Sequence, residues 1–180
     1  MKTVVLKFGG TSVGSLERIK KVANIIASFK KKRIKIIVVS SAMSGTTNDL
    51  INKSKKISNN FDKAEYDTLL ASGEQVACAL IAGRLNHIGY LSRSWMSWQI
   101  PIISSGSHTA ARITNINKKE ILKFINKGGI PIVTGFQGVS LNNRITTFGR
   151  GGTDASAIML AKFFKADKCI IYTDVEGVYT

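Results

Sequence analysis

The chain has 180 residues, of which 44% are apolar, and this is the size of one domain that can bury a real core. No apolar run approaches the roughly 20 residues of a transmembrane helix, and Gly9 and Gly10 interrupt the basic start too early for a secretory signal. Cys78 and Cys169 are far apart in the sequence, and no paired histidines accompany them. We therefore expect a protein of the reducing cytoplasm, with neither a disulfide scaffold nor a metal site.

The formal net charge of +15 invites comparison with nucleic-acid-binding proteins. However, the basic residues lie in helical runs such as "FKKKRIK" and "NKKEILK", with almost no aromatic residues between them. The chain is also rich in Lys, Ile and Asn together, as coding from an AT-rich genome would produce. We therefore expect no nucleic-acid partner, although a basic face would favour an anionic substrate.

The first half of the chain alternates between strand and helix patterns. Thr3 to Phe8 predicts a strand, and Leu16, Ile19, Ala23 and Ile26 then recur at helical spacing. The apolar stretch "IKIIVVSSAM" predicts a second strand, followed by a shorter helix from about Asn48. A long apolar helix is then expected through "EYDTLLASGEQVACALIAGRLNHIG", ending at Gly89.

The second half continues the alternation. "YLSRSWMSWQIPIISSG" has room for a strand and a turn, and Ile116 to Asn126 predicts a helix with Asn117 as its cap. "IPIVTGFQG" predicts a buried strand, "NNRITTFGRGGTDASAIMLAKFF" a short strand, a glycine loop and a helix, and "KCIIYTDVEGVYT" a last strand. Alternation of this kind is typical of a mainly parallel sheet covered by helices on both faces.

Five predicted loops carry small, glycine or charged residues where a strand ends: "KFGGTS", "SSAMSGTTN", "GFQG", "GRGGTDAS" and "YTDVEG". A glycine pair in any single loop is usually only a turn. Because the carboxyl ends of parallel strands line the ligand crevice of such a sheet, we expect the five loops to converge at one edge.

The loop "GRGGTDASA" is the most informative of the five. Its three glycines let backbone N–H groups approach a ligand, and Thr153 or Asp154 is expected to cap the following helix, whose positive end attracts anions. Arg150 is suited to a bidentate grip on a carboxylate. Asp154 as a plain helix cap is the simpler alternative, but it would not explain Arg150 or the glycines.

Glu74 is the second informative residue. In an unbroken helix it would share an apolar face with Leu70, Cys78 and Ile81, and a buried carboxylate needs a cationic partner from the protein or from a ligand. Alternatively, Gly73 breaks the helix and Glu74 faces solvent.

Lys7 and the last loop also allow two interpretations each. Lys7 either extends outward from an edge strand or neutralises a phosphoryl group beside the glycine loop. Thr173 and Asp174 either begin a plain turn or serve nucleotide hydroxyls or a metal.

Taken together, the motifs "KFGGTS", "VVSSAMSGTTN", "LLASGEQV", "GFQG", "GRGGTDASA" and "YTDVEGVYT" resemble those of aspartate kinases, within the amino acid kinase superfamily, in both order and spacing. The resemblance covers the whole chain and implies a three-layer α/β/α sandwich with a mainly parallel open sheet. It implies ATP-dependent phosphorylation of the side-chain carboxylate of L-aspartate to 4-phospho-L-aspartate. This step begins lysine, threonine and methionine synthesis.

The resemblance also implies a role for each matching residue. Lys7 would stabilise the transferring phosphoryl group, and Asp154 would orient Lys7. The amino acid would be held through its ammonium group by Glu74 and through its carboxylate by Arg150. The remaining substrate-binding residues would be Thr47, Gly151, Gly152 and Thr153, and the remaining ATP-binding residues Phe8, Gly9, Gly10, Ser41, Thr173, Asp174 and Tyr179.

The residue types agree with this chemistry. An aspartate carboxylate is ionised at pH 7 and needs no general base, so positioning and charge neutralisation by Lys7, backbone N–H groups and Mg²⁺ carried by ATP would suffice. His87 and His108 receive no role.

The family pattern continues past Thr180 with an Asp-Pro-Arg-type segment and a further nucleotide-contacting lysine. We therefore interpret residues 1–180 as a kinase catalytic domain that is truncated on its nucleotide side and lacks the regulatory ACT domains. An inactive fragment, a non-catalytic subunit of a longer kinase and a homo-oligomer remain open alternatives.

Overall fold

The computed structural model describes residues 2–173 and contains two sheets and five helices in that range. The strands are β1 (Thr3–Phe8), β2 (Lys35–Ser40), β3 (Ser92–Trp95), β4 (Ile102–Ser105), β5 (Arg112–Ile116), β6 (Ile130–Thr134), β7 (Gln137–Val139), β8 (Ile145–Thr147) and β9 (Lys168–Tyr172). The helices are α1 (Leu16–Lys31), α2 (Thr46–Ile57), α3 (Lys63–His87), α4 (Lys119–Asn126) and α5 (Gly152–Phe163).

The main sheet has the order β3-β6-β2-β1-β9 and is parallel throughout. Its two faces are covered by different helices, because successive side chains of each strand point to opposite sides. One core contains Val4, Leu6 and Phe8 of β1 packed with α1 and α3, and the other contains Val5 with α4 and α5. The predicted three-layer α/β/α sandwich is confirmed.

The carboxyl ends of the central strands are aligned by their register. Phe8 pairs with Ser40 and with Tyr172, and Ser40 pairs with Thr134. Hydrogen bonds continue this alignment into the loops, since the Gly9 amide donates to Tyr172 and the Gly135 amide donates to Ser40, each over 3.1 Å. The loops that follow β1, β2 and β6 therefore lie side by side.

A second sheet, with the order β5-β4-β7-β8, differs from the sequence prediction. Ile116, the predicted first residue of a helix, is instead the last residue of β5, and α4 begins only at Lys119. The tryptophan-rich segment provides two strands, one in each sheet. Short strands with broken alternation leave no periodic signal, which explains why this sheet was missed. As a consequence, the loop "GRGGTDAS" follows β8 of the second sheet, so the expectation that all five loops follow strands of one sheet was wrong.

The long helix α3 is continuous through Gly73, so the alternative of a helix break there was wrong. Gly73 is needed for close packing: a Cβ built on it would lie 2.9 Å from the Cβ of Ala42 and 3.3 Å from the Cγ2 of Thr46. Gly83 on the same helix has nothing within 4 Å of such a Cβ. Among the described residues, no helix is both long and apolar enough to cross a membrane.

These two glycines make a matched pair for a stability test. We expect Gly73→Ala to lower the free energy of unfolding by about 1–3 kcal/mol, because the new methyl group overpacks the contact with residues 42–46. We expect Gly83→Ala to raise it by about 0.5–1 kcal/mol, because alanine favours the helical backbone and meets no neighbour. Urea denaturation measures both changes, and effects of the same sign would contradict this view of α3.

Candidate functional site

A cavity of about 350 Å³ lies where the loops after β1 and β2 meet the loop before α5. It contains ten of the fifteen residues that the sequence assigned to a site. They are Lys7, Gly10, Ser41, Thr47, Glu74, Arg150, Gly151, Gly152, Thr153 and Asp154. The sequence spacing of these residues spans most of the chain, so the fold rather than local sequence assembles them.

Lys7 lies on an interior strand, not on an edge, and is only 7% exposed. The alternation of β1 directs its side chain to the same face as Val5, towards α5. There its Nζ lies 2.8 Å from Oδ1 of Asp154. The ammonium group also lies close to the glycine loop, since a Cβ on Gly9 would be 3.3 Å from it. The alternative of an outward-pointing edge lysine was therefore wrong.

Asp154 lies in the first turn of α5 and does not cap that helix. The cap position is Gly151, in the left-handed conformation with φ of 75°, and no side chain caps the helix there. The expectation that Thr153 or Asp154 is the N-cap was wrong by two or three residues, because Gly151 adopts a backbone conformation that few other residues tolerate. Asp154 is thereby left to pair with Lys7, and the positive end of α5 faces the cavity.

Glu74 is 3% exposed, so the solvent-facing alternative was wrong. Its Oε1 accepts a hydrogen bond of 3.1 Å from the Ala42 amide, whereas its buried Oε2 has no partner among the described residues. Burial raises the pKa of Glu74 to about 7, and the hydrogen bond from Ala42 opposes part of this rise. A buried, half-satisfied carboxyl group at a cavity wall is suited to a ligand that brings a cation.

Arg150 is exposed at the cavity rim, and its guanidinium has no hydrogen bond or ion pair within residues 2–173. Gly149 and Gly151 on either side both have positive φ angles, of 72° and 75°. Ser41 and Thr47 enter the cavity from the loop after β2 and from the first turn of α2. The site therefore combines two cations, Lys7 and Arg150, with one ion-paired and one buried carboxyl group.

Five predicted site residues are not part of this cavity. The ring of Phe8 is buried and stacks on Tyr172 at 4.7 Å between centroids. Gly9 lies beside the cavity, and Thr173 follows the end of β9. Asp174 and Tyr179 lie outside the described residues.

Gly149, one of the three glycines predicted to approach a ligand, also lines the cavity. Sequence reasoning missed six further lining residues: Ala42, Met43, Ser44, Gly45, Asn48 and Phe136. All six lie in the predicted loops, so loop membership was the available signal. It also missed Asp67, a completely buried carboxylate on α3, because only the three-dimensional contacts reveal its partners. No group of three or more His, Cys, Asp or Glu side chains within residues 2–173 could hold a metal ion.

Fold and cavity together define an α/β protein with a cavity at the carboxyl edge of a parallel sheet, lined by the cationic side chains of Lys7 and Arg150. Residues 2–180 match the amino acid kinase family, and the chain belongs to this family. An aspartokinase from Geobacillus stearothermophilus is 49% identical over 180 residues, which are 100% of this chain and 44% of that protein. The chain thus spans less than half the length of this curated relative.

Solved structures agree with this family. Aspartate kinase from Synechocystis matches with a TM-score of 0.83 and 39% identity, over 97% of this chain and 29% of that one. E. coli aspartokinase III in complex with aspartate and ADP matches with a TM-score of 0.87, over 99% of this chain and 51% of that one. Its identity is 24%, so this match shows the shared fold alone.

The raised pKa of Glu74 predicts a pH-dependent stability. Below pH 4.5, the ordinary pKa, the carboxyl group is protonated whether the chain is folded or not. As the pH rises to about 7, the unfolded chain ionises while the folded chain retains the proton, so folding loses stability, on the order of 3 kcal/mol.

The variant Glu74→Gln has no such proton, so its stability relative to the wild type should rise by roughly that amount, about 3 kcal/mol, between pH 4.5 and pH 8. Urea denaturation of both proteins across this range measures the difference. A difference that stays constant with pH would show that Glu74 titrates normally.

Proposed function

We propose that this chain forms the amino-acid-binding part of an aspartate kinase. The reaction transfers the terminal phosphoryl group of ATP to the side-chain carboxylate of L-aspartate. The observation that carries the proposal is one cavity that holds a buried lysine paired with an aspartate, together with an arginine and a buried carboxyl oxygen that have no partner within residues 2–173. The 49% identity to an aspartokinase supports the same substrate.

The charges of the site are complementary to those of L-aspartate. Glu74 would receive the α-ammonium group, because its Oε2 is buried and lacks a donor among the described residues. Arg150 would bind the α-carboxylate in a bidentate manner. Thr47, Gly151, Gly152 and Thr153 line the same cavity and would complete the amino-acid site. With both ends of the amino acid held, the side-chain carboxylate is left free to react.

Lys7 would then act on the transferred phosphoryl group. An oxygen of the aspartate carboxylate forms a new bond to the terminal phosphorus, and the bond from that phosphorus to the bridging oxygen breaks, leaving its electron pair on ADP. Lys7 would neutralise charge on the phosphoryl oxygens, and Asp154 would hold its ammonium group in place. Gly9, Gly10, Ser41 and the positive end of α5 would surround the phosphates.

The nucleotide site would extend beyond this cavity, towards Phe8, Thr173, Asp174 and Tyr179. Mg²⁺ would arrive with the nucleotide phosphates and reduce their charge. E. coli aspartokinase III was solved in complex with aspartate and ADP, and we propose the same pair of an amino acid and a nucleotide here. The product, 4-phospho-L-aspartate, would feed lysine, threonine and methionine synthesis in the cytoplasm.

A second candidate is a non-catalytic subunit that pairs with a longer kinase. It is favoured by β9, which is an edge strand of the main sheet and has Lys168, Cys169 and Ile171 exposed within the described part of the chain. An edge of this kind can pair with a further strand. A homo-oligomer would also form through the exposed edge of β9. Size-exclusion chromatography of the purified chain, alone and mixed with a longer aspartate kinase, distinguishes a homo-oligomer from a subunit of the longer protein.

Phosphoryl transfer can be tested directly, because an acyl phosphate reacts with hydroxylamine to give a hydroxamate that can be measured by its coloured iron complex. With Mg-ATP and L-aspartate we expect hydroxamate from the chain, and we expect Lys7→Ala to lower the rate by about a hundredfold or more, by analogy with loss of one charge-stabilising group. Lys20→Ala is the matched control, because Lys20 forms an ion pair with Glu17 on the exposed face of α1.

An equal rate in Lys7→Ala and the wild type would refute the role of Lys7. Absence of hydroxamate from the wild type, with L-aspartate still bound, would favour the non-catalytic subunit.

The amino-acid site can be tested by titration calorimetry without any turnover. We expect Arg150→Ala to weaken L-aspartate binding by about tenfold to a hundredfold, because the substrate carboxylate loses a charged hydrogen-bonding partner. Arg144→Ala is the control, since Arg144 forms a surface ion pair with Glu65 outside the cavity. Equal affinities in the two variants would contradict the assignment of Arg150.

A further inference from the structure

Asp67 is a second buried carboxylate on α3, seven residues before Glu74 and therefore on a similar face of the helix. Its side chain is completely buried, yet it does not line the substrate cavity. Both of its oxygens accept hydrogen bonds from the Thr109 amide, at 3.1 and 3.0 Å. Oδ1 also accepts from the hydroxyl of Thr147 at 2.5 Å, and Oδ2 lies 2.8 Å from Nδ1 of His108. A carboxylate oxygen accepts hydrogen bonds, so this contact assigns a proton to Nδ1 of His108.

Two of these partners lead directly to Arg150. Thr147 is the last residue of β8 and lies three residues before Arg150. Thr109 lies in the loop between β4 and β5, and its carbonyl oxygen is 3.1 Å from the position of a Cβ on Gly149. Thr109 itself has a φ of 70°, which β-branched residues rarely adopt. The two hydrogen bonds from its amide to Asp67 hold it in this conformation.

We propose that Asp67 is a positioning residue, which fixes the segment 147–150 through Thr147 and Thr109 and so aims Arg150 at the substrate carboxylate. This inference rests on the proposed function for the identity of the ligand. Under this proposal α3 contributes to amino-acid recognition in two ways. Glu74 contacts the ligand directly, and Asp67 positions the segment 147–150 that carries Arg150. The exposed rim position of Arg150 makes such support necessary, since its own guanidinium has no partner within the described residues.

His108 offers the mildest way to weaken this cluster, because its side chain is 28% exposed and supplies one of the hydrogen bonds. His108→Ala removes the donor to Asp67. His108→Asn is the matched variant, because the side-chain amide of asparagine places a donor near the position of Nδ1. Asp67→Asn is a stronger change, because it replaces a shared acceptor with a group that carries two hydrogens.

Two measurements on the whole chain test the proposal. Amide hydrogen exchange should become about tenfold faster in residues 104–111 and 147–152 of His108→Ala, and His108→Asn should restore the wild-type rate. Residues of β1 and α1 should exchange as in the wild type. In calorimetry, L-aspartate should bind His108→Ala about tenfold more weakly, and His108→Asn should bind it as the wild type does.

The outcomes distinguish a failure of the positioning role of Asp67 from a failure of the proposed substrate, L-aspartate. Unchanged exchange in residues 147–152 of both His108→Ala and Asp67→Asn would overturn the positioning role. Faster exchange throughout β1 and α1 would also overturn it, because Asp67 would then support the whole fold. Wild-type chain that fails to bind L-aspartate, with the local exchange effect present, would refute the proposed substrate and leave the coupling of Asp67 to the Arg150 loop intact.

Discussion

The ion pair between Lys7 and Asp154 is the constraint around which the site is built. Because side chains alternate along β1, Phe8 packs into one core and the side chain of Lys7 points to the opposite face of the sheet. Lys7 is therefore buried in the middle of a parallel sheet, where an unpaired charge is very unfavourable. The partner comes from the first turn of α5, 2.8 Å away. This pairing fixes where α5 begins relative to β1, and it places a positive helix end and a glycine loop next to the ammonium group.

A second constraint acts from the opposite wall. Gly73 lets α3 approach the loop after β2 so closely that the Ala42 amide reaches Glu74. This contact satisfies one oxygen of the carboxyl group and leaves the other buried. The site therefore has a paired charge at Lys7 and an incompletely paired one at Glu74. A ligand with both an ammonium group and carboxylates complements this arrangement, whereas a simple anion would leave Glu74 unsatisfied.

Much of this could be predicted from the sequence, because strong periodicity and glycine loops carry local information. The apolar run in Thr3–Phe8 and the long apolar stretch of α3 indicated the main sheet and its helix layers. The short strand β8 was predicted, but its place in a second sheet was not, since β7 and β8 have only three residues each. The cap of α5 was misplaced because a side-chain cap was expected, whereas Gly151 takes the cap position with a positive φ and no capping side chain. Asp67 was missed because its partners are 41, 42 and 80 residues away.

Site-resolved titration of the Glu74 carboxyl group tests the central claim most directly. Carbon-13 NMR of the labelled side chain would follow its protonation with and without L-aspartate. The nearby Cys78 thiol stays un-ionised over this range, because burial raises its pKa. Without ligand, the pKa of Glu74 should be about 7. With L-aspartate it should fall well below this value, because the bound ammonium group stabilises the carboxylate. A pKa that L-aspartate leaves unchanged would contradict the assignment of Glu74, and with it the interpretation of the cavity as an amino-acid site.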